Sequence, residues 1–185
     1  MSQIQKSILV IGAASSGKSE LAEILATKTA KSVIYLATAK VDRSDREWQA
    51  KIARHQQRRP ATWKTQNAGD DLAKCIEQAL PTECLLIDSL GTWVANFLAT
   101  DCQQWQQMCG CLISSIETTS ASAILVGEET GWGVVPAYPL GRLFRDRLGN
   151  LSRRVGNVVD TTYLVVGGHV VDLDAVGKPL NKYGI

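Results

Sequence analysis

Gly12-Ala13-Ala14-Ser15-Ser16-Gly17-Lys18-Ser19 decides how the rest of this chain is read. The stretch fits G-x-x-x-x-G-K-[ST]. It stands between a short apolar run, Ser7 to Ile11, and a segment from Lys18 to Thr29 with apolar residues at Leu21, Ala22, Ile24, Leu25 and Ala26. The first predicts a buried strand and the second a helix packed against it. Strand, glycine-rich turn and helix, in that order, are the setting in which this pattern binds phosphate. Gly12 and Gly17 let the backbone curl until successive N–H groups face one centre, where they and the helix N-terminus hold phosphate oxygens. Lys18 is placed to neutralise β- and γ-phosphates, and Ser19 to ligate Mg²⁺. The expected nucleotide-binding set is therefore Gly12, Ala13, Ala14, Ser15, Ser16, Gly17, Lys18 and Ser19, with Lys18 also catalytic. The competing reading, a chance glycine turn before a helix, explains neither the lysine nor the hydroxyl after it.

Working outward, apolar runs at Ser32 to Leu36, Cys84 to Ile87 and Ser122 to Val126 predict further strands. Between them, Arg46 to Arg58, Asp70 to Leu80 and Gln103 to Thr118 have helical spacing. Trp48 and Ile52 share a face of the first, which Pro60 closes. Pro139 serves as the first residue of a long arginine-rich helix running from Leu140 to about Val159. Thr162 to Val166, Gly167-Gly168 and Val170 to Leu173 predict a terminal hairpin. Strands alternating with helices imply an α/β fold: a mostly parallel sheet flanked by helices, with an antiparallel C-terminal edge hairpin. At 185 residues and without a linker or repeat, the chain is expected to form one domain over residues 1–185.

Composition narrows the function. Twenty basic against 18 acidic residues leave a net charge of +2, which gives no electrostatic case for nucleic acid. No apolar run reaches the ~18 residues of a membrane span. Met1 to Lys6 lacks the order of a signal peptide. Five cysteines, Cys75, Cys84, Cys102, Cys109 and Cys111, are odd in number and lack zinc-ligand spacing. They are expected to be reduced thiols of a cytoplasmic protein.

Asp88 closes the Cys84–Ile87 strand. An aspartate at the carboxyl end of a strand in a phosphate-loop protein orients Mg²⁺ or its water shell. The alternative is a helix N-cap for a segment starting at Ser89 or Leu90. The metal set is thus Ser19 and Asp88. These features establish nucleoside triphosphate binding, and leave kinase, ATPase and switch open.

Three more segments carry a resemblance. The first is Tyr35-Leu36-Ala37-Thr38-Ala39, followed by Arg54-His55-Gln56-Gln57-Arg58-Arg59-Pro60 and Trp63. The second is Asp88-Ser89-Leu90-Gly91-Thr92-Trp93-Val94-Ala95-Asn96-Phe97-Leu98. The third is Val126-Gly127-Glu128-Glu129-Thr130-Gly131-Trp132-Gly133-Val134-Val135-Pro136, running on through Arg142, Phe144, Arg145, Asp146, Gly149 and Asn150. With the phosphate loop, and over nearly the whole chain, these resemble the bifunctional adenosylcobinamide kinase / adenosylcobinamide-phosphate guanylyltransferase family of cobalamin assembly.

The resemblance implies a RecA-like phosphate-loop fold, a homotrimer and a two-step enzyme using ATP, GTP and Mg²⁺. Adenosylcobinamide is phosphorylated on its aminopropanol hydroxyl. GMP is then passed from GTP onto that phosphate through a GMP–histidine. His55 matches the guanylylated histidine, and Ala37, Thr38, Ala39, Gln56, Gln57, Arg58, Arg59, Asn67 and Asp88 match nucleotide contacts. A neutral imidazole is a competent nucleophile near pH 7, and Arg54, Arg58 and Arg59 could offset charge on the phosphates. Without the resemblance, the same residues fit a solvated basic helix face. The chain departs from the family in three places: Ala13 stands for a second glycine, Ser15 for an arginine and Asn67 for a common glutamate. Backbone amides survive the first two changes, while Asn67 keeps hydrogen bonding without charge.

Some residues keep two readings. Gly131 to Pro136 is either a loop that closes over a flat corrinoid or a rigid turn with Trp132 packed. Arg142, Arg145 and Arg147 contact phosphate or line a trimer rim. His169 is expected at the surface of the hairpin turn. Two other functions compete: a small-molecule kinase in which His55 is idle, and a nucleotide-dependent switch.

Overall fold

The runs that alternate between two faces while staying apolar throughout build the centre of the sheet. The computed structural model describes residues 6–39, 59–69 and 71–184. Its elements are β1 (Ser7–Gly12), α1 (Lys18–Lys28), β2 (Ser32–Ala37), β3 (Lys64–Asn67), α2 (Leu72–Glu77), β4 (Glu83–Asp88), α3 (Leu90–Asn96), α4 (Cys102–Thr118), β5 (Ser122–Glu128), α5 (Pro139–Gly156), β6 (Thr161–Val166), β7 (His169–Asp172) and α6 (Leu173–Val176). A 3₁₀ turn follows at Leu180–Tyr183. One seven-stranded sheet runs in the order β3-β2-β4-β5-β1-β6-β7. All pairings are parallel except β6 with β7.

Alternation along the strands divides the core. Leu9, Leu36, Leu85, Ile87 and Leu125 face one side, where α2 to α5 bring Leu72, Ile76, Trp93, Leu112, Leu148 and Leu151. Ile8, Val10, Tyr35, Leu86, Ile124 and Val126 face the other, where α1 brings Ala22 and Ala26. Burial of both faces is why β1, β4 and β5 are apolar throughout rather than alternately polar.

The expected α/β fold with an antiparallel edge is the observed one. Val166 faces His169 across Gly167 and Gly168, whose φ values of 57° and 75° suit a two-residue turn of the primed kind. Pro139 begins α5 as expected, but the helix ends at Gly156 rather than near Val159. The helix expected over Asp70 to Leu80 is shorter, Leu72–Glu77, because the chain turns once Leu80 N–H donates to the Glu83 carboxylate at 2.8 Å. β3 was not anticipated: Lys-Thr-Gln-Asn is polar and exposed along its length, as an edge strand with a free side tolerates. The helix expected over Arg46 to Arg58 lies outside the described residues.

Candidate active site

Parallel strands bring the ends of β1, β4 and β5 to one edge of the sheet. Register sets Gly12 level with Glu128, and Asp88 level with Val126 and with Ala37. Ala37 is in turn level with Asn67. The expected phosphate loop and the expected strand-end residues therefore share that edge.

The loop is held open by close packing of its own backbone. A Cβ at Gly12 would lie 2.5 Å from Ser16 Oγ and 2.6 Å from the Val165 carbonyl oxygen, so only glycine lets the loop leave β1 beside β6. Gly17 takes φ 95°, a left-handed conformation natural to glycine, and turns the chain into α1. Ser15, with φ 57°, also lies in that region. Gly17 is the N-cap of α1 and has no side chain with which to close that end. Buried Lys18 folds back to donate to the Ala13 carbonyl at 3.1 Å. Ser16 Oγ is buried and has no hydrogen-bond partner among the described residues. An uncapped positive helix end, a folded-back ammonium and an unpartnered hydroxyl form a receptor for an anion.

The neighbouring helix, α3, is closed instead. Ser89 caps it: its hydroxyl accepts from Thr92 N–H at 3.3 Å, and Thr92 Oγ1 accepts from Ser89 N–H at 3.1 Å. Glu128 reaches over from β5, accepting from the Ser89 hydroxyl and, at 2.8 Å, from Gly91 N–H. Thr38 is fully buried in this cluster. It donates to the Ser89 carbonyl at 2.7 Å, accepts from Ser89 N–H at 2.9 Å and meets Thr92 Oγ1 at 2.5 Å. Asn96 adds a bond to the Thr38 carbonyl at 2.6 Å. Ser89, and not Asp88, is thus the N-cap, so the alternative reading of Asp88 falls. The Asp88–Ser89 peptide is cis.

The Asp88 carboxylate is a hydrogen-bond partner of the Tyr35 hydroxyl. Burial, with Asp88 next in weight, pushes the Tyr35 phenol far above its usual range. Arg59 stacks on the same ring, its Cζ 3.1 Å from the centroid. One of the expected nucleotide contacts is thereby joined to the expected metal residue through a tyrosine that sequence reasoning quoted without giving it a role.

Beyond β5 lies a cavity of about 250 Å³. Glu128, Glu129 and Gly131 form one wall, and Arg145, Asp146 and Gly149 of α5 the other. Glu129 N–H donates to the Gly12 carbonyl at 2.9 Å, joining this cavity to the phosphate loop. Burial raises the Glu129 carboxyl pKa. The segment after it is exposed and apolar, with Trp132 70% and Val134 94% accessible. A rigid turn with a packed Trp132 is therefore not what this region forms. Arg142 donates to the carbonyls of Pro136 and Ala137, tying the segment to α5. Arg147 is buried and donates to the Phe97 and Thr100 carbonyls at 2.6 and 2.7 Å. It is a brace between α3 and α5, contrary to its expected place on phosphate or on a rim. His169 is exposed, as expected, and its Nδ1 lies 2.9 Å from the Gly167 carbonyl.

Of the remaining expected residues, Ala39 follows Thr38 at the end of β2, and Asn67 Oδ1 accepts from Gly69 N–H at 2.9 Å. His55, Gln56, Gln57 and Arg58 lie outside the described residues. The signals that could have revealed the Thr38–Ser89–Glu128 cluster are its hydroxyls and carboxylate at strand ends, but they stand 39 and 51 residues apart. Among the described residues there is no cluster of three or more His, Cys, Asp or Glu side chains fit for a metal, and no helix is long and apolar enough to cross a membrane. The five cysteines are free thiols.

Comparison with known proteins agrees with this geometry. The CobU family model, described as cobinamide kinase / cobinamide phosphate guanyltransferase, matches residues 8–173. The bifunctional adenosylcobalamin biosynthesis protein CobP of Pseudomonas aeruginosa is 36% identical over 93% of this chain and 98% of its own. The CobU protein of Salmonella typhimurium, described in the same words, is 35% identical over 87% of this chain and 96% of its own. Among solved structures, a Pyrococcus horikoshii protein matches with a TM-score of 0.55 at 7% identity, covering 94% of this chain and 90% of that one. The ATP synthase subunit NeqB of Nanoarchaeum equitans matches at 0.51 and 13% identity, covering 97% and 56%. These two likenesses are of fold alone.

Proposed function

Because this chain belongs to the cobinamide kinase / cobinamide phosphate guanyltransferase family, we propose that it phosphorylates adenosylcobinamide and then transfers GMP onto the phosphate, giving adenosylcobinamide-GDP. The observation that carries this reading is the uncapped N-terminus of α1, with Lys18 folded over it.

In the first step the phosphate loop holds the triphosphate, and Lys18 swings from the Ala13 carbonyl to the β- and γ-phosphates. The substrate hydroxyl forms a bond to the γ-phosphorus as the bond to the bridging oxygen breaks, and nucleoside diphosphate leaves. Positioning and charge carry such a transfer. In the second step His55 attacks the α-phosphorus of GTP, releasing pyrophosphate. An oxygen of cobinamide phosphate then displaces the imidazole. A neutral nucleophile meets the triphosphate first, and one hard step becomes two easier ones. The family's nucleotide contacts fall on Asn67, Arg59, Ala37 and Ala39 and on Gln56, Gln57 and Arg58, while Thr38, fully buried with its hydroxyl bound to Ser89 and Thr92, supports that edge from within.

Ser19 and Asp88 suit Mg²⁺. Both offer hard oxygen donors, and this ion takes one or two protein ligands and fills its octahedron with water and phosphate. When bound it neutralises charge on the phosphates. The exposed apolar segment Trp132 to Val135 suits contact with the flat corrinoid. On this reading the enzyme works in the cytoplasm as a homotrimer, for which light scattering should read about three times the 20.1 kDa chain.

Incubation of the pure chain with cobinamide and GTP labelled at either the α- or the γ-phosphate tests the reading. Transfer of γ-label to cobinamide and covalent α-label on the protein are expected. γ-Transfer alone leaves a kinase, and neither label refutes both activities.

A further inference from the structure

We propose that Glu129 is the proton acceptor of the kinase step, because it lines the cavity between β5 and α5 while its backbone is fastened to Gly12, the first residue of the phosphate loop. The inference rests on the kinase reading above and adds a catalytic residue to it.

A cavity of about 250 Å³ is smaller than the clefts of roughly 300–1,000 Å³ that enclose a whole drug-sized ligand. It takes the hydroxyl-bearing arm of an acceptor, while the bulk of the molecule stays outside. The wall of the cavity continues from Gly131 directly into the exposed Trp132, Val134 and Val135, where an apolar body would rest. An alcohol entering this way arrives beside the loop that holds the triphosphate.

Three carboxylates line the cavity, and their surroundings separate them. Glu128 is committed: one oxygen accepts from the Ser89 hydroxyl and the other from Gly91 N–H. Asp146 is exposed, on α5 across the cavity. Glu129 is half-buried and accepts no hydrogen bond on its carboxylate among the described residues. Burial raises its pKa, which strengthens the carboxylate as a base. Arg145 supplies a cation to the same cavity, facing the charge that gathers there.

The step balances. The acceptor O–H gives its proton to the Glu129 carboxylate as its oxygen bonds to the γ-phosphorus. The bond from that phosphorus to the β,γ-bridging oxygen breaks, and its electron pair leaves with the nucleoside diphosphate. Glu129 then releases the proton to water.

The full chain carrying Glu129→Gln is compared with wild type using cobinamide and γ-labelled triphosphate. Glu129→Gln should lower kcat about 10²–10⁴-fold. KM for both substrates, and GMP labelling from α-labelled GTP, should stay near wild type, and Glu129→Asp should recover part of the rate. An unchanged kcat in Glu129→Gln overturns the proposal. So does joint loss of kinase activity and GMP labelling, which marks a structural role, or a loss of rate confined to Asp146→Asn. A wild-type chain that leaves cobinamide unphosphorylated overturns the kinase reading, and the base with it. An active wild type with an equally active Glu129→Gln overturns the base alone.

Discussion

Two helices begin at the same edge of the sheet, and they end their backbones differently. α3 is closed by its own neighbourhood: Ser89 and Thr92 cap each other, Glu128 takes the Ser89 hydroxyl and Gly91 N–H, and buried Thr38 pairs with the Ser89 N–H and carbonyl. The N-cap of α1 is Gly17, which has no side chain with which to close that end, and Lys18 folds over the loop. A helix start leaves four N–H groups without intrahelical partners. At α3 side chains of the chain satisfy those of Ser89, Gly91 and Thr92, so that end is part of the framework. At α1 they await an anion from outside. The difference teaches which of two similar strand-to-helix turns binds substrate, and it predicts that damage to the two ends will be read by different measurements.

The largest effect should come from Lys18→Ala. Removing this cation from the loop should lower kinase kcat/KM about 10²–10³-fold, the size seen when a single charge-stabilising group is lost. Thermal stability should hardly change. Near-parental turnover would erase the distinction between the two helix ends.

Gly12→Ala should act on both quantities. Its new Cβ meets Ser16 Oγ and the Val165 carbonyl, and the second of these is backbone that cannot swing aside. Overpacking of this kind costs about 1–3 kcal/mol. Chemical denaturation should show that loss, and nucleotide affinity should fall with it as the loop is displaced.

Glu128→Ala should invert the pattern of Lys18→Ala. It strips a partner from the Ser89 hydroxyl and from Gly91 N–H, which costs about 1–3 kcal/mol where those groups stay dry. The variant should melt earlier yet bind triphosphate nearly as well as its parent. Loss of nucleotide affinity without loss of stability would show that the closed end is also a ligand site.

Ser15→Ala should do least. The side chain is exposed and the loop works through its backbone, so both stability and kinase KM should stay within the ±0.5 kcal/mol of ordinary surface changes. The same logic explains how Ala13 and Ser15 can replace a glycine and an arginine at these positions.

The comparison also explains what could be read from sequence. The phosphate loop was legible because its demands are local: glycines where the backbone must turn, then a lysine and a hydroxyl at fixed offsets. The parallel sheet was legible because strands buried on two faces become continuous apolar runs. β3 was hidden because an edge strand needs no apolar pattern. The closed end of α3 was hidden because its members, Thr38, Ser89 and Glu128, come from three strand ends that only the sheet order brings together. Arg147 read as a surface cation, although its guanidinium is buried against carbonyls and stacks over Trp105 at 4.9 Å. Charge alone does not say whether a long side chain points outward. Tyr35 and Glu129 stand in the segments that carry the resemblance, and only packing gives them surroundings from which a role follows.

The central claim is that one phosphate-loop chain performs two transfers, the second through His55. The most direct test incubates wild type and His55→Ala with GTP labelled at the α-phosphate, and measures kinase turnover in parallel. Wild type should carry a covalent GMP that is labile to acid and stable to base, as a phosphoramidate is. Labelling should decline in acid, because protonation of the imidazole removes the attacking lone pair. His55→Ala should lose the label and keep much of its kinase turnover. An acid-labile GMP adduct that persists in His55→Ala would contradict the account and make His169 the next residue to test.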